Sequence, residues 1–181
     1  TATVWGVRQK KMLWSSKEHT HYVQGVAWDP HDQLLVTQSS DRSCRVYQGR
    51  PEGKAGKIPL LSALSPSKLH SALYCKQALK RREMVAAAQA AAAASGRADV
   101  SAGGDDAPKH PTPSRHRLFM DESVPSFFRR PTFSPDGSLL LVPTGLYQEQ
   151  KASPGSSAPG VPTTYVFLRD QWSAPAMHLA G

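Results

Sequence analysis

Between Tyr22 and Tyr47 apolar and polar residues alternate in three short runs, parted by Asp29-Pro30 and by Ser40-Asp41-Arg42. Period-two alternation sends successive side chains to opposite faces of a strand, so each run predicts a strand of an antiparallel sheet. The pattern recurs downstream. Ala27-Trp28-Asp29-Pro30-His31-Asp32-Gln33-Leu34-Leu35-Val36 aligns with Thr132-Phe133-Ser134-Pro135-Asp136-Gly137-Ser138-Leu139-Leu140-Leu141. Both read as strand, tight turn, strand. Asp136-Gly137 is a strong hairpin pair, because glycine takes positive φ without a Cβ clash; His31-Asp32 is a weaker pair at the same place. A third strand is predicted in each copy, Ser43–Tyr47 and Thr163–Phe167, and Thr1–Trp5 supplies a matching fragment at the start. All three end in an aromatic residue preceded by Val. Ile58–Leu64 and Ala176–Leu179 are the expected fourth strands. Four-stranded antiparallel units in series point to an all-β fold, a partial β-propeller of about two blades plus the end of a third.

Three segments follow. Residues 1–49 hold the end of one blade and the first repeat. Residues 50–117 form a Pro, Ser and Ala-rich insertion, and residues 118–181 hold the second repeat, with a Ser/Pro/Gly loop at 148–162. Within the insertion, Ser67–Ala94 has the composition of a solvated helix, and Ser95–Pro113 has that of a disordered stretch. Of 181 residues 39% are hydrophobic and 20% charged, enough for one globular core. The formal net charge of +8 is uneven. The insertion carries twelve Lys/Arg and five Asp/Glu, so nearly all of the excess sits there. Such a loop suits an acidic or nucleic-acid partner, or stands as a solvated linker. No run reaches the ~20 apolar residues of a membrane span, so no membrane partner is expected. Thr1–Trp5 reads as the tail of a strand rather than a signal peptide, and the chain lacks an initiator Met, so it reads as a piece of something longer. Cys44 and Cys75 make neither a disulfide framework nor a metal site, which fits a reduced compartment.

The first repeat runs Glu18-His19, Val23, Val26, Trp28-Asp29-Pro30, Thr37, Asp41, Tyr47. It resembles the WD-repeat pattern of Gly-His, strand, Ser-Pro-Asp-Gly, strand with Ser or Thr, Asp turn and Trp-Asp. The resemblance implies a hydrogen-bonded chain of His19, Thr37, Asp41 and Tyr47. Glu18, Tyr47 and Gln48 depart from the pattern. The second repeat lacks the histidine and ends in Phe167, which donates no hydrogen bond, so packing must hold it. "EHTHYVQGVAWDP", "SSDRSCRVY", "FMDESVPSFFRRPTFSPDGSLLLVPTG" and "TTYVFLR" resemble more narrowly the WD-repeat subunits of chromatin assembly factor 1. That resemblance implies a seven-bladed propeller in a nuclear histone chaperone complex that assembles nucleosomes on newly replicated or repaired DNA. It implies a non-catalytic scaffold without a cofactor. Its partners would be the large and small subunits of the complex and the core histones of the central tetramer, with indirect or weak DNA contact through the basic insertion. The alternatives are a replication-independent histone regulator, a substrate receptor of a ubiquitin ligase and a propeller hydrolase. A receptor would need a docking motif, and a hydrolase would need converging acids; neither is evident in the sequence.

Phe127-Phe128-Arg129-Arg130 has two readings. It is an aromatic and arginine patch of the kind that anchors partners. Alternatively, one Phe packs between blades while an arginine snorkels or pairs with Asp121 or Glu122. Lys80-Arg81-Arg82 reads as a phosphate contact, an import signal or a solvated helix face. His19-Thr20-His21 has the spacing of a metal pair, but His19 is also the structural histidine of the repeat and no third ligand lies nearby. No Gly-x-Ser-x-Gly elbow or Gly-rich phosphate loop is present.

Overall fold

A computed structural model describes residues 1–54, 56–84, 114–148 and 160–180. Strands β1 (Ala2–Gly6) and β2 (Lys11–Ser16) pair as a hairpin. Strands β3 (Val23–Trp28), β4 (Leu34–Ser39) and β5 (Ser43–Gly49) follow. A 3₁₀ turn at Leu61–Ala63 and helix α1 (Pro66–Ala72) lead into β6 (Leu73–Leu79), which completes a four-stranded antiparallel sheet in chain order. Strands β7 (Arg81–Met84) and β8 (Ser114–Arg117) pair with each other. Strands β9 (Thr132–Phe133), β10 (Leu139–Tyr147), β11 (Val161–Leu168) and β12 (Met177–Ala180) form the second four-stranded sheet. The architecture is that of a partial WD-repeat propeller, with each sheet an antiparallel meander.

The fourth strand of the second sheet lies where the sequence places it, and that of the first does not. Ile58–Leu64 is not a strand. Pro59 has no N–H for a ladder, and Leu61 turns inward to a buried site beside Leu69. β6 takes the edge instead, pairing with β5 from Cys44↔Leu79 to Gly49↔Leu73. The insertion therefore does not fill all of 50–117, since this strand belongs to the first sheet. The helix expected over Ser67–Ala94 stops at Ala72, because the open edge of β5 supplies ladder hydrogen bonds that outweigh helix propensity. Lys80-Arg81-Arg82 likewise enters a strand, not a helix face. Residues 85–113 and 149–159, with the disorder expected over Ser95–Pro113 and most of the Ser/Pro/Gly loop, lie outside the described residues. Met84 and Ser114 are paired, so the chain leaving at one re-enters beside the other. Cys75 sits on β6 opposite Tyr47. Among the described residues no helix is long and apolar enough to cross a membrane.

Both faces of the first sheet are covered. Leu34, Val36, Cys44 and Val46 meet Leu140, Val142, Tyr165 and Phe167 of the second sheet. Leu35 and Tyr47, on the opposite face, meet Ala2 and Trp14 of the hairpin together with Leu61, Leu69 and Leu73. All six residues of β4 are therefore buried. Phe167 is wholly buried, so packing carries the second repeat at the position where its sequence offers no donor.

The two repeats build the same turn. Asp29 N–H donates to Leu34 O at 3.0 Å, and Asp32 N–H to Asp29 O at 2.9 Å. Ser134 N–H donates to Leu139 O at 3.0 Å, and Gly137 N–H to Ser134 O at 2.8 Å. Asp32 adopts φ 57°, where Gly137 has φ 68°. Aspartate tolerates this left-handed position better than most residues, so the weaker sequence pair makes the same bend.

An arginine ties the two turns together. Arg169, just past β11, places both terminal nitrogens 2.9 Å from the carboxylate oxygens of Asp29 in the first repeat. It also donates to Gly137 O at 3.1 Å and to Gln33 Oε1 at 3.0 Å. The Asp29 side chain is fully shielded from solvent. Burial opposes its ionisation, but the bonds from Arg169 and from backbone N–H groups win and hold its pKa below the ordinary value. Removing one partner of such a pair strands a buried charge. Arg169→Ala is expected to cost about 3 kcal/mol in urea unfolding, with Asp29→Ala plus Arg169→Ala costing clearly less than the two single changes summed. Additive losses would show that the two side chains do not act as a pair.

Candidate partner-binding rim and its hydrogen-bonded support

The first repeat orders its outer loop around one histidine. His19 is buried, with Nδ1 2.9 Å from Asp41 Oδ2 and Nε2 2.7 Å from Thr37 Oγ1. Ser43 Oγ lies 3.2 Å from Nδ1, and Asp41 also accepts from Thr20 N–H at 3.1 Å and Ser43 N–H at 3.0 Å. Burial lowers the His19 pKa, and the opposing pull of Asp41 does not overcome it. The ring is therefore neutral: Nδ1–H donates to Asp41, and Nε2 accepts the Thr37 hydroxyl proton. Burial would raise the Asp41 pKa, but bonds from Ser43 and His19 bring it below the usual carboxylate range.

Tyr47 does not join this chain. Its hydroxyl lies 3.0 Å from Ser16 Oγ on β2 and donates to Glu18 Oε2 at 3.2 Å. Its ring packs edge-on against Trp14, with centroids 5.0 Å apart. Thr37 shares the face of the sheet on which Tyr47 lies, but its hydroxyl is taken by His19 and its cross-strand neighbour is Arg45, while the Tyr47 phenol reaches Ser16 and Glu18. The roles of Ser16 and Ser43 have no signature in the sequence, because isolated serines carry no spacing signal. Asp29 and Arg169 are hidden there for another reason: they meet only when the sheets stack.

The Phe127–Arg130 passage follows neither reading as a whole, since no Phe packs inward and one of the two arginines is buried. Arg129, a candidate for partner contact, is instead buried, at 1% exposure. Its guanidinium donates to Met120 O at 2.6 Å, to Ser39 O at 3.4 Å and to Asp121 O. It does not take the Asp121 carboxylate. Bonds from Ser123, reinforced by Arg42, hold that carboxyl down at about 2. Arg129 N–H also donates to Gln24 O at 3.0 Å, bringing this segment against β3. Gly25 permits the approach, since a Cβ there would lie 1.7 Å from Arg129 O. Phe127 and Phe128 face outward, 55% and 65% exposed, edge-to-face at 5.5 Å. Arg130 is exposed and lies over the Phe128 ring at 5.9 Å. Two aromatics and a cation thus form a surface patch mounted on a buried arginine.

The remaining candidates separate. His19 is buried, whereas His21 is exposed beside Glu122 at 3.6 Å, so the His-x-His pair is split. Among the described residues no group of three or more His, Cys, Asp or Glu could hold a metal ion. Lys80 is exposed at the end of β6.

Arg129→Ala leaves buried carbonyls without a donor and a cavity behind, so it is expected to cost about 2–4 kcal/mol in urea unfolding. Arg130→Ala should stay within about 0.5 kcal/mol. Equal effects would contradict the division of roles. Because His19 is kept neutral in the fold, the unfolded chain binds its proton more readily. Stability should therefore decline as pH falls below about 6.5, and decline again below about 4 as Asp29 and Asp41 protonate. His19→Gln should remove the upper decline in pH-dependent denaturation and leave the lower one.

Residues 10–48 match the family model "WD domain, G-beta repeat". The chain is 33% identical over 178 residues to the rice (Oryza sativa subsp. japonica) "Chromatin assembly factor 1 subunit FAS2 homolog", covering 98% of this chain and 28% of the relative. It is 31% identical over 179 residues to a chromatin assembly factor 1 subunit of Gallus gallus, covering 99% of this chain and 23% of that relative. A chromatin assembly factor 1 subunit of Saccharomyces cerevisiae is 33% identical over 137 residues, 76% of this chain and 22% of the relative. The chain thus spans about a quarter of the length of these curated relatives. With a similarity that runs through nearly every residue and a WD repeat at its first sheet, this chain belongs to the family of WD-repeat subunits of chromatin assembly factor 1.

Proposed function

We propose that this chain is part of a non-catalytic propeller scaffold in a nuclear histone chaperone complex, one that assembles nucleosomes on newly replicated or repaired DNA. The observation that supports this most directly is the similarity to chromatin assembly factor 1 subunits along 98% and 99% of the chain. The partners on this reading are the large and small subunits of the complex and the histones of the central tetramer. The Phe127, Phe128 and Arg130 patch is the contact. Aromatic and arginine side chains dominate binding hot spots, and Phe127 and Phe128 are exposed here on a passage fixed by buried Arg129. A surface held in place before binding avoids much of the ordering cost of association. The basic segment 50–117 contributes weak, salt-sensitive contact with DNA. The scaffold then holds the histones until DNA competes for their charge.

Affinity capture of the full-length protein from nuclear extract is expected to recover the large and small assembly subunits with core histones. Recovery of a ubiquitin-ligase adaptor in their place would overturn the reading. Replacing Phe127, Phe128 and Arg130 together by Ala should cut that recovery about tenfold or more while Tm stays nearly unchanged. Unchanged recovery would remove the patch from the interface.

A further inference from the structure

A groove of about 910 Å³ opens at the edge of the first sheet, in the loop between β5 and α1. Ile58, Pro59, Leu60 and Leu64 wall it, and Lys57 and Lys68 stand at its rim beside Glu52. Its walls are fixed from below. Leu61 N–H donates to Asp32 O at 2.7 Å, and Ser62 N–H to Asp32 Oδ2 at 3.0 Å, anchoring the loop to the β3–β4 turn. Leu61 and Leu69 are buried beneath it. Glu52 and Lys57 exchange two backbone hydrogen bonds, at 2.9 and 3.1 Å, and close one side. Leu60 nevertheless stays 49% exposed.

In this chain the first sheet already has the β1–β2 hairpin on one face and the second sheet on the other. A groove at its edge is not a face left for another sheet of a ring. The outer face of the second sheet differs, because Leu168, Met177 and Leu179 lie open there in the plane where a further sheet would stack.

Charge selects the occupant. Lys57 and Lys68 stand at the groove, and Arg50 and Lys54 belong to the same stretch of chain, against Glu52 alone. Among the described residues neither rim lysine makes an ion pair. Apolar walls under a cationic rim match a chain that presents carboxylates above and apolar side chains below. A volume near the upper end of ordinary ligand sites holds several side chains, as a peptide would require. We infer that this groove docks a short acidic amphipathic segment of a partner protein, with two apolar side chains spaced three or four residues apart entering it and flanking carboxylates meeting Lys57 and Lys68. This surface is separate from the Phe127–Arg130 patch and does not depend on the function assigned to that patch.

The test is to pan a library of random twelve-residue peptides against the full-length protein and, in parallel, against Lys57→Glu/Lys68→Glu. Both lysines are exposed, so the variant should keep the wild-type Tm. Peptides retained by the wild type and lost by the variant should carry a net negative charge and an apolar pair at the stated spacing. A fluorescent synthetic copy of the leading peptide should bind about tenfold more weakly to the double variant and to Leu60→Ser, and more weakly at high salt. The proposal is overturned if no retained peptide depends on the lysines or if those that do are basic or uncharged. It is also overturned if sedimentation shows a dimer that the charge reversal dissolves, since the groove would then hold a second copy.

Discussion

A sheet covered on both faces leaves its central strands no water to satisfy their polar groups. The rest of this structure follows from that constraint. All of β4 is buried, yet its sequence includes Thr37, Gln38 and Ser39. Thr37 and the Gln38 amide nitrogen take partners from distant segments and Ser39 takes one two residues on, while Gln38 Oε1 has no partner among the described residues. Thr37 bonds to His19, Gln38 Nε2 donates to Pro143 O at 2.6 Å and Thr144 Oγ1 at 2.9 Å, and Ser39 Oγ accepts from Asp41 N–H at 3.1 Å. An unpaired polar group in such a place costs on the order of 1–3 kcal/mol, so these partners keep the outer loop and the neighbouring sheet in one arrangement. Asp29 extends the same logic to a charge, whose burial an arginine fork from the second repeat and the Gln33 N–H together make tolerable.

The two repeats reach similar shapes by different chemistry. The first is held by a neutral histidine between an aspartate and a threonine. Among the described residues the second has no such network and relies on buried Phe167, Tyr165 and Trp172. Sharing of the turn geometry by Asp32 and Gly137 shows that the hairpin tolerates either residue. The Arg169 fork then couples the units, so the rim they share behaves as one surface. That rigidity is consistent with the proposed scaffold role, since a binding surface that needs no ordering at the moment of contact avoids part of the cost of association.

Arg129 and Arg130 show how adjacent identical residues divide their work. One fills a buried site lined by backbone carbonyls, and the next lies over an exposed phenylalanine. The passage lies outside the strands, and the bond from the Arg129 backbone N–H to Gln24 O fixes the turn of chain that sends one arginine to the interior and leaves the next at the surface. The sequence does not show which of the pair goes inward. That choice depends on where the carbonyls of Met120 and Asp121 lie, and they belong to a different part of the fold.

Local rules made much of this protein readable in advance. Alternation located β3 to β5 and β9 to β11 but not β2, turn residues located the bends, and the WD-repeat resemblance implied that His19, Thr37 and Asp41 meet within one unit, because each signal acts over a few residues. Contacts that join distant segments were not written there. β6 has helical composition until the edge of β5 claims it, Tyr47 turns to Ser16 once the hairpin stacks beside it, and Asp29 finds Arg169 only across the sheet interface. Propensity and pattern fix what a segment does alone. Which edge lies open, which face is covered and which buried charge finds a partner are properties of the packed sheets, and tertiary structure decided them.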